Sequence, residues 1–532
     1  YESISGQINT ELIKPINDIP FFLNAYGSTD SRFELNTHFN TQLSQKWSSS
    51  LFVHGNTRVS KMDQNNDGFM DNPLAKQINV MNRYQYYDAE KGLVSFINFR
   101  YMNDKKQSGE VDFDPDRDRG ATNRWGSEIN TQRLDLATKV GYVFKDMPFQ
   151  SIGFQNAFTL HDQNSYYGLN VYDIKQSSFY SNLIFNSIIN NTKHKFATGI
   201  NFAYDNYNEF VGLTDYGRVD NSVGTFFEYT YDNDDNFSLV LGGRVDNHNR
   251  LGTFVTPRLH LRYNPWEKSV LRFSAGRGKR AANIFAENQS LFASSRTFSI
   301  LDTDGKIYGL NPEIAWNYGL SFNQKFQLFG RNGDAGFDLY RTDFQNQAVV
   351  DVMQSPQQVL FYNLKGKSYA TSLQIEFNYE LANRFSLRSA YKYYDIQTQY
   401  LSGVYQRPLQ AKHRFFGNLE YETGRSESGS QWRFDATYNW LGKQQLPVTA
   451  SNPAQDRLPD FSPSYNLINA QVTHVFSSNF EIYVGGENIG NYKQSKAILG
   501  AETPFGPTFD ASIVYAPIFG QMYYAGLRFK IK

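Results

Sequence analysis

Apolar and polar residues alternate along almost the whole chain. In 431–440, QWRFDATYNW, one face carries Trp432, Phe434, Ala436, Tyr438 and Trp440, and the other carries Arg433, Asp435, Thr437 and Asn439. In 255–263, Val255, Pro257, Leu259, Leu261 and Tyr263 oppose Arg258, His260 and Arg262. The stretches 371–380, 385–393 and 521–531 repeat the pattern, the last with Tyr523, Ala525, Leu527, Phe529 and Ile531 against Arg528 and Lys530. A period of two predicts strands. Their apolar faces are too many and too aromatic to fill the single core of a sandwich. Rings at strand ends, such as Trp432 and Trp440, suit aromatic girdles at a membrane surface. The pattern therefore predicts an all-β fold turned inside out: a transmembrane antiparallel β-barrel with an apolar outside and a polar lumen.

Alternating segments between Phe21 and Ile531 number about 22, a size at which barrels carry a plugged lumen. Some connections are tight, as at Asn383–Arg384 and Ser477–Asn479. Others are long, near 105–130, 280–312, 444–462 and 491–520. Short turns at one end and long loops at the other fit an outer-membrane barrel. No internal repeat or low-complexity linker divides the chain, so 16–532 reads as one barrel domain.

Composition narrows the function. Of 532 residues, 36 are Tyr and 44 are Phe, more rings than a soluble core of this size needs. Lys+Arg and Asp+Glu both number 52, so bulk charge gives nucleic acid no foothold. Mean hydropathy is −0.55 and no run of apolar residues is long enough for a membrane helix. A barrel strand shows lipid only every second residue, so low mean hydropathy does not argue against a membrane protein. Cysteine is absent, which excludes disulfides and thiolate chemistry.

Several stretches resemble the TonB-dependent outer-membrane transporters. The opening YESISGQINTELIKP, Tyr1 to Pro15, is similar to the end of that family's plug domain. TPRLHLRYNP (256–265) with LRFSAGRGKRAANIFAEN (271–288) resembles its mid-barrel region. GLNPEIAWNYGLSFNQKF (309–326) resembles a later strand, although Gly319 stands where the family usually has Glu. GENIGNY (486–492) resembles a segment near the end, and Phe529 is the nearest candidate for the terminal aromatic. The resemblance implies residues 1–15 as the end of a plug whose remainder, with a TonB-contacting segment, would precede Tyr1. It implies active import of a scarce nutrient across the outer membrane, a ferric siderophore or other metal complex first, energised through TonB. It implies TonB, the chain's own plug and outer-membrane lipids as partners, with a surface lipoprotein as a further candidate and no nucleic acid. The alternatives are a non-transport barrel serving an outer-membrane complex, or a passive channel.

One loop carries cation chemistry. DQNNDGFMD, Asp63 to Asp71, places Asp63, Asn65 and Asp67 at alternate positions, then Gly68, the backbone carbonyl of Phe69, and Asp71. Calcium takes six to eight oxygens, and this spacing turns alternate side chains toward one centre. Position twelve is Leu74, so the loop is not an EF-hand. Two readings stand: a structural calcium ligated by Asp63, Asn65, Asp67, Phe69 and Asp71, or a Gly/Asn/Asp turn that needs no ion. The acidic run VDFDPDRDRG (111–120) reads as a solvated loop, interrupted by Arg117 and Arg119. Eight scattered histidines form no H-x-x-H pair, and neither a Walker loop nor G-x-S-x-G occurs, so no catalytic residue is assigned and no enzyme is expected. Arg258, His260 and Arg262 are expected to face the lumen. Tyr166, Tyr167, Tyr393 and Tyr394 are expected in the girdles.

Overall fold

The computed structural model describes Ile4 and residues 11–532. The expectation that Tyr1–Pro15 ends a plug falls mostly outside these residues. Twenty-two antiparallel strands form a closed barrel. The first, Phe21–Ser28, pairs with the last, Met522–Ile531, in the register Phe21↔Ile531 to Ser28↔Tyr524. Two short segments, Thr214–Asp215 and Gly403–Gln406, prolong neighbouring hairpins. A small separate sheet of Thr297–Ile300, Ala348–Asp351 and Gln358–Asn363 stands apart from the wall.

Cross-strand register puts the apolar sets on one continuous surface. Phe322 faces Phe337, Phe337 faces Ile375, Ile375 faces Tyr391, Tyr391 faces Phe415 and Phe415 faces Trp440. This row crosses six strands, and Ile375 and Phe415 within it are among the exposed large side chains. Closure of the barrel pairs the backbone across this row, so lipid can bathe such a surface without meeting a sheet edge. The opposite face of the same strands carries the charges and lines the lumen.

The two ends differ. At one, hairpins close in a few residues. In the Leu328–Arg331 turn, Phe329 and Gly330 both take positive φ, 49° and 74°, as a two-residue turn matching strand twist requires. The other end carries long loops at 59–73, 110–125, 281–312, 347–367, 442–464 and 488–521. Residues 11–18 lie inside the lumen near the short-turn end. Arg83 Nη1 donates to Leu12 O at 3.4 Å, Asn40 Nδ2 to Pro15 O at 2.6 Å, and the backbone N–H of Ile16 to Gln85 Oε1 at 3.4 Å. His38 meets Asp18 at 2.9 Å.

Candidate functional site

The long loops do not splay into solvent. They share a hydrophobic core built from Phe69, Trp125, Phe285, Phe292, Phe361 and Phe509, with Tyr167 and Tyr172 from the tops of two strands. Trp125 and Phe509 ring centroids are 5.0 Å apart, and Phe292 lies 5.3 Å from Tyr172. The rings come from several distant stretches of sequence, and fully burying one contributes about 1.5–3 kcal/mol. The loops thus gain from one another the burial that none has alone.

Buried charges fasten this core. Arg296, with its side chain 1% exposed, donates from Nε to Asp510 Oδ2 at 2.8 Å and from Nη1 to Ser355 O at 3.0 Å. One guanidinium so joins loops 281–312, 347–367 and 488–521. At the rim, Arg218 donates to Glu209 at 3.1 Å, to Asp220 at 3.0 Å and to Tyr308 Oη at 2.7 Å, and it also bonds Asn283. Tyr172 Oη donates to the other Glu209 oxygen at 3.0 Å. Tyr308 and Asn283 belong to loop 281–312, so this network ties that loop to three wall strands. Burial and the Glu209 charge raise the Tyr308 phenol above its ordinary range. Arg280 adds a second tie, reaching Glu313 at 2.6 Å and both oxygens of Glu287 at 2.9 and 2.8 Å.

The 63–71 loop feeds this assembly. Its Phe69 ring packs 6.0 Å from Trp125 and 5.9 Å from Phe509. Gln64 O accepts from Lys493 Nζ at 2.7 Å, and Gln64 Oε1 accepts from the Gly520 N–H at 3.0 Å. Within the loop, Asp63 accepts from the Asp67 N–H at 3.2 Å and the Gly68 N–H at 2.9 Å, and Asp67 Oδ1 accepts from the Phe69 N–H at 2.9 Å. Asn65 Nδ2 donates to Asp67 Oδ2 at 2.9 Å. Asp71 Oδ2 accepts from the Gln64 N–H at 2.8 Å, while Asp71 Oδ1 is buried without a hydrogen-bond partner. Burial, with the charges of Asp63 and Asp67, pushes the Asp71 carboxyl up to about 6, and burial raises Asp67 as well. Among the described residues no three His, Asp or Glu side chains form a ready metal cage. The loop folds round its own amides, and Asp63 and Asp67 lie near enough to Asp71 for their charges to act on its carboxyl.

Two sequence expectations need correction. The acidic run is not wholly solvated. Asp114 caps a short helix, Pro115–Asp118, Asp118 is buried, and Phe113 is buried beneath the Gly126 backbone. Arg117 holds the Asp118 carboxyl down to about 2. Tyr166 and Tyr167 are not girdle residues. Both are buried, Tyr166 donating to Glu128 at 2.9 Å beneath Arg119, and Tyr167 stacking on Phe292. Tyr393 does stand on the outer face, opposite Leu373, whereas Tyr394 faces the lumen.

Lower in the lumen, Arg258, His260 and Arg262 share the inner face as expected, and the register adds Arg272 directly opposite Arg262. All four are exposed. Facing like charges repel, and none of the three arginines forms an ion pair among the described residues. The patch therefore concentrates positive charge on this part of the lumen wall, with Glu228 the carboxylate beside Arg258 across Gly242.

The family model "TonB dependent receptor-like, beta-barrel" matches residues 14–489, and the chain belongs to that family. It is accordingly an outer-membrane barrel of a family of transport receptors that work with TonB and a plug domain. Solved structures share the fold at low identity. A variant of the ferric enterobactin receptor PfeA of Pseudomonas aeruginosa superposes with a TM-score of 0.71 at 12% identity, over 96% of this chain and 80% of that one. The siderophore receptor PirA of Acinetobacter baumannii gives 0.71 at 12%, over 98% and 81%. P. aeruginosa FpvA in complex with a heterologous ferric pyoverdine gives 0.70 at 13%, over 96% and 72%. No curated protein sequence matches at a significant level.

Proposed function

We propose that this receptor imports a ferric siderophore or a similar anionic metal complex, drawn inward by TonB, and that it has no enzymatic activity. The observation that carries the reading is the family match over 14–489. The neighbouring solved structures are receptors for ferric enterobactin, ferric pyoverdine and a further siderophore, which favours iron complexes among possible cargoes. The exposed cations Arg258, Arg262 and Arg272 suit an anion. The path of residues 11–18 along the inner wall suits a chain that arrives from a plug inside the barrel, with residues 1–15 as its end. The interlocked loops would close over cargo at the mouth, with Phe69, Phe292 and Phe509 holding them together. The test is growth of a deletion strain under iron chelation. Slowed growth restored by the intact gene supports the reading. Normal growth, with a defect only when copper or cobalamin is scarce, moves the cargo to another metal complex.

We further propose that the 63–71 loop takes one structural calcium, with Asp63, Asn65, Asp67, the Phe69 carbonyl and Asp71 as donors. The partnerless, buried Asp71 oxygen supports it, because a carboxylate so placed gains from a cation. The ion would fix Phe69 in the loop core and would not be cargo. Elemental analysis of the purified receptor and melting with and without chelator decide it. No calcium and no shift would leave the loop as a plain turn.

A further inference from the structure

The membrane-facing wall has a dent. Gly243 lies directly opposite Pro257, and Ala275 opposite Leu259, so three neighbouring outward positions carry little side chain. Phe227, Tyr229, Leu241, Leu259 and Trp316 stand around them and border an open concavity of ≈ 660 Å³ with an almost wholly apolar lining.

The backbone explains why the dent is there. Gly252–Tyr263 and Ser269–Arg280 pair only from Arg258↔Gly276 to Tyr263↔Leu271. Pro257 has no N–H to donate, and from it upward the two strands part. Residues 252–257 pair only with 243–248, and residues 277–280 only with 313–316. Lys279 bridges the seam, donating from Nζ to Leu251 O at 2.9 Å and lying 4.5 Å from the Phe254 ring centre. The dent sits at the foot of this seam. Tyr263 and Trp266 mark the short-turn end of the wall here, and the outward-facing charges Arg277, Arg341 and Asp343 beside Trp316 and Tyr318 mark where the wall turns polar on the long-loop side, so the dent lies just below that polar level, in the outer leaflet.

A cation stands above it. Arg277 is paired in register with Trp316 and shares its outward face. Its Nε donates to Gln345 Oε1 at 3.1 Å, and among the described residues it has no carboxylate partner. An apolar hollow under an uncompensated guanidinium, on a wall bathed by lipid, matches the two halves of an anionic lipid. Headgroup oxygens at that height could also accept from backbone N–H groups left open along the seam.

We propose that the dent is a lipid site, in which an acyl chain of an outer-leaflet lipid lies against Gly243, Pro257 and Ala275 while its phosphate rests on Arg277. The proposal depends on the barrel and not on the identity of the cargo. The experiment reconstitutes the full receptor in phosphatidylcholine vesicles containing a small fraction of acyl-brominated phosphatidylglycerol. Bromine quenches nearby tryptophan, and the Trp316 signal is isolated by difference from Trp316→Phe. The expected result is quenching that saturates at a low mole fraction of the brominated lipid. Arg277→Ala should raise the half-saturating fraction several-fold. Gly243→Leu should abolish the excess quenching, and its new side chain has room because nothing lies within 4 Å of a Cβ built there. Heat-modifiable migration on gels establishes that each variant is folded. Quenching that follows bulk mole fraction and ignores both substitutions overturns the proposal. So does a co-purifying membrane protein that shields Trp316 from brominated lipid.

Discussion

Arg296 and Asp510 show how a single pair organises the mouth of the barrel. Both are almost wholly buried, and they join residues 214 positions apart. Removing one partner of a buried pair leaves the other charged and desolvated, at a cost of about 3–5 kcal/mol. Asp510→Ala should therefore loosen loops 281–312, 347–367 and 488–521 while the barrel stays folded. Limited proteolysis in detergent should show cuts in these loops that the parent protein resists; an unchanged digest would mean that the aromatic core suffices without the pair. Asp71 gives a pH-dependent expectation. Its folded carboxyl sits at about 6, above the ordinary value of 3.8. The cation-free folded loop therefore binds this proton more tightly than the unfolded chain does, and loop stability should fall as pH rises from about 4 to 6. Calcium binding needs the ionised form, so affinity should weaken as pH drops through about 6. Hydrogen exchange of residues 63–71 at about pH 5 and pH 7.5, with calcium or with chelator, checks both signs. Asp71→Asn should remove the dependence.

At the scale of elements, the strands are legible because their requirement is local. A residue on the wall must be apolar or polar according to its side, and Trp432 to Trp440 record that choice position by position. The lumen placement of Arg258, His260 and Arg262 follows from the same alternation. The calcium-like spacing is legible for a related reason, since all its donors lie within one short loop. The loop core is different. Phe69, Phe292 and Phe509 meet only because the barrel brings distant loops together, and nothing in each local stretch distinguishes a buried phenylalanine from a girdle one. Alternation misplaces Tyr166 and Tyr167 for that reason, and Asp118 hides inside a run whose charges look solvated. Alternation does put Pro257 on the outer face, but the parting of its strand from Ser269–Arg280 is a matter of neighbours rather than sequence. That seam has a direct consequence. Amides on the unpaired side of 253–256 and 277–280 should exchange faster than those in the paired halves, 258–263 and 271–276. Equal protection across both halves would mean the wall is closed there in the membrane.

At the scale of the molecule, the charges and the energy source must act together. An anion descending the lumen meets Arg258, His260, Arg262 and Arg272 near the short-turn end. Arg262→Gln combined with Arg272→Gln should relieve their mutual repulsion and leave folding intact, yet lower uptake of a negatively charged ferric complex more than that of a neutral one. Equal loss for both complexes would assign the patch to holding another part of the receptor instead.

The most direct measurement is accumulation of radiolabelled ferric siderophore by cells with and without this receptor, before and after collapse of the inner-membrane proton gradient. The expected result is uptake that requires the receptor and stops when the gradient is lost, with surface binding retained. Uptake that continues without the gradient would make the barrel a passive channel, and absence of any receptor-dependent binding across ferric siderophores would contradict the assignment of cargo.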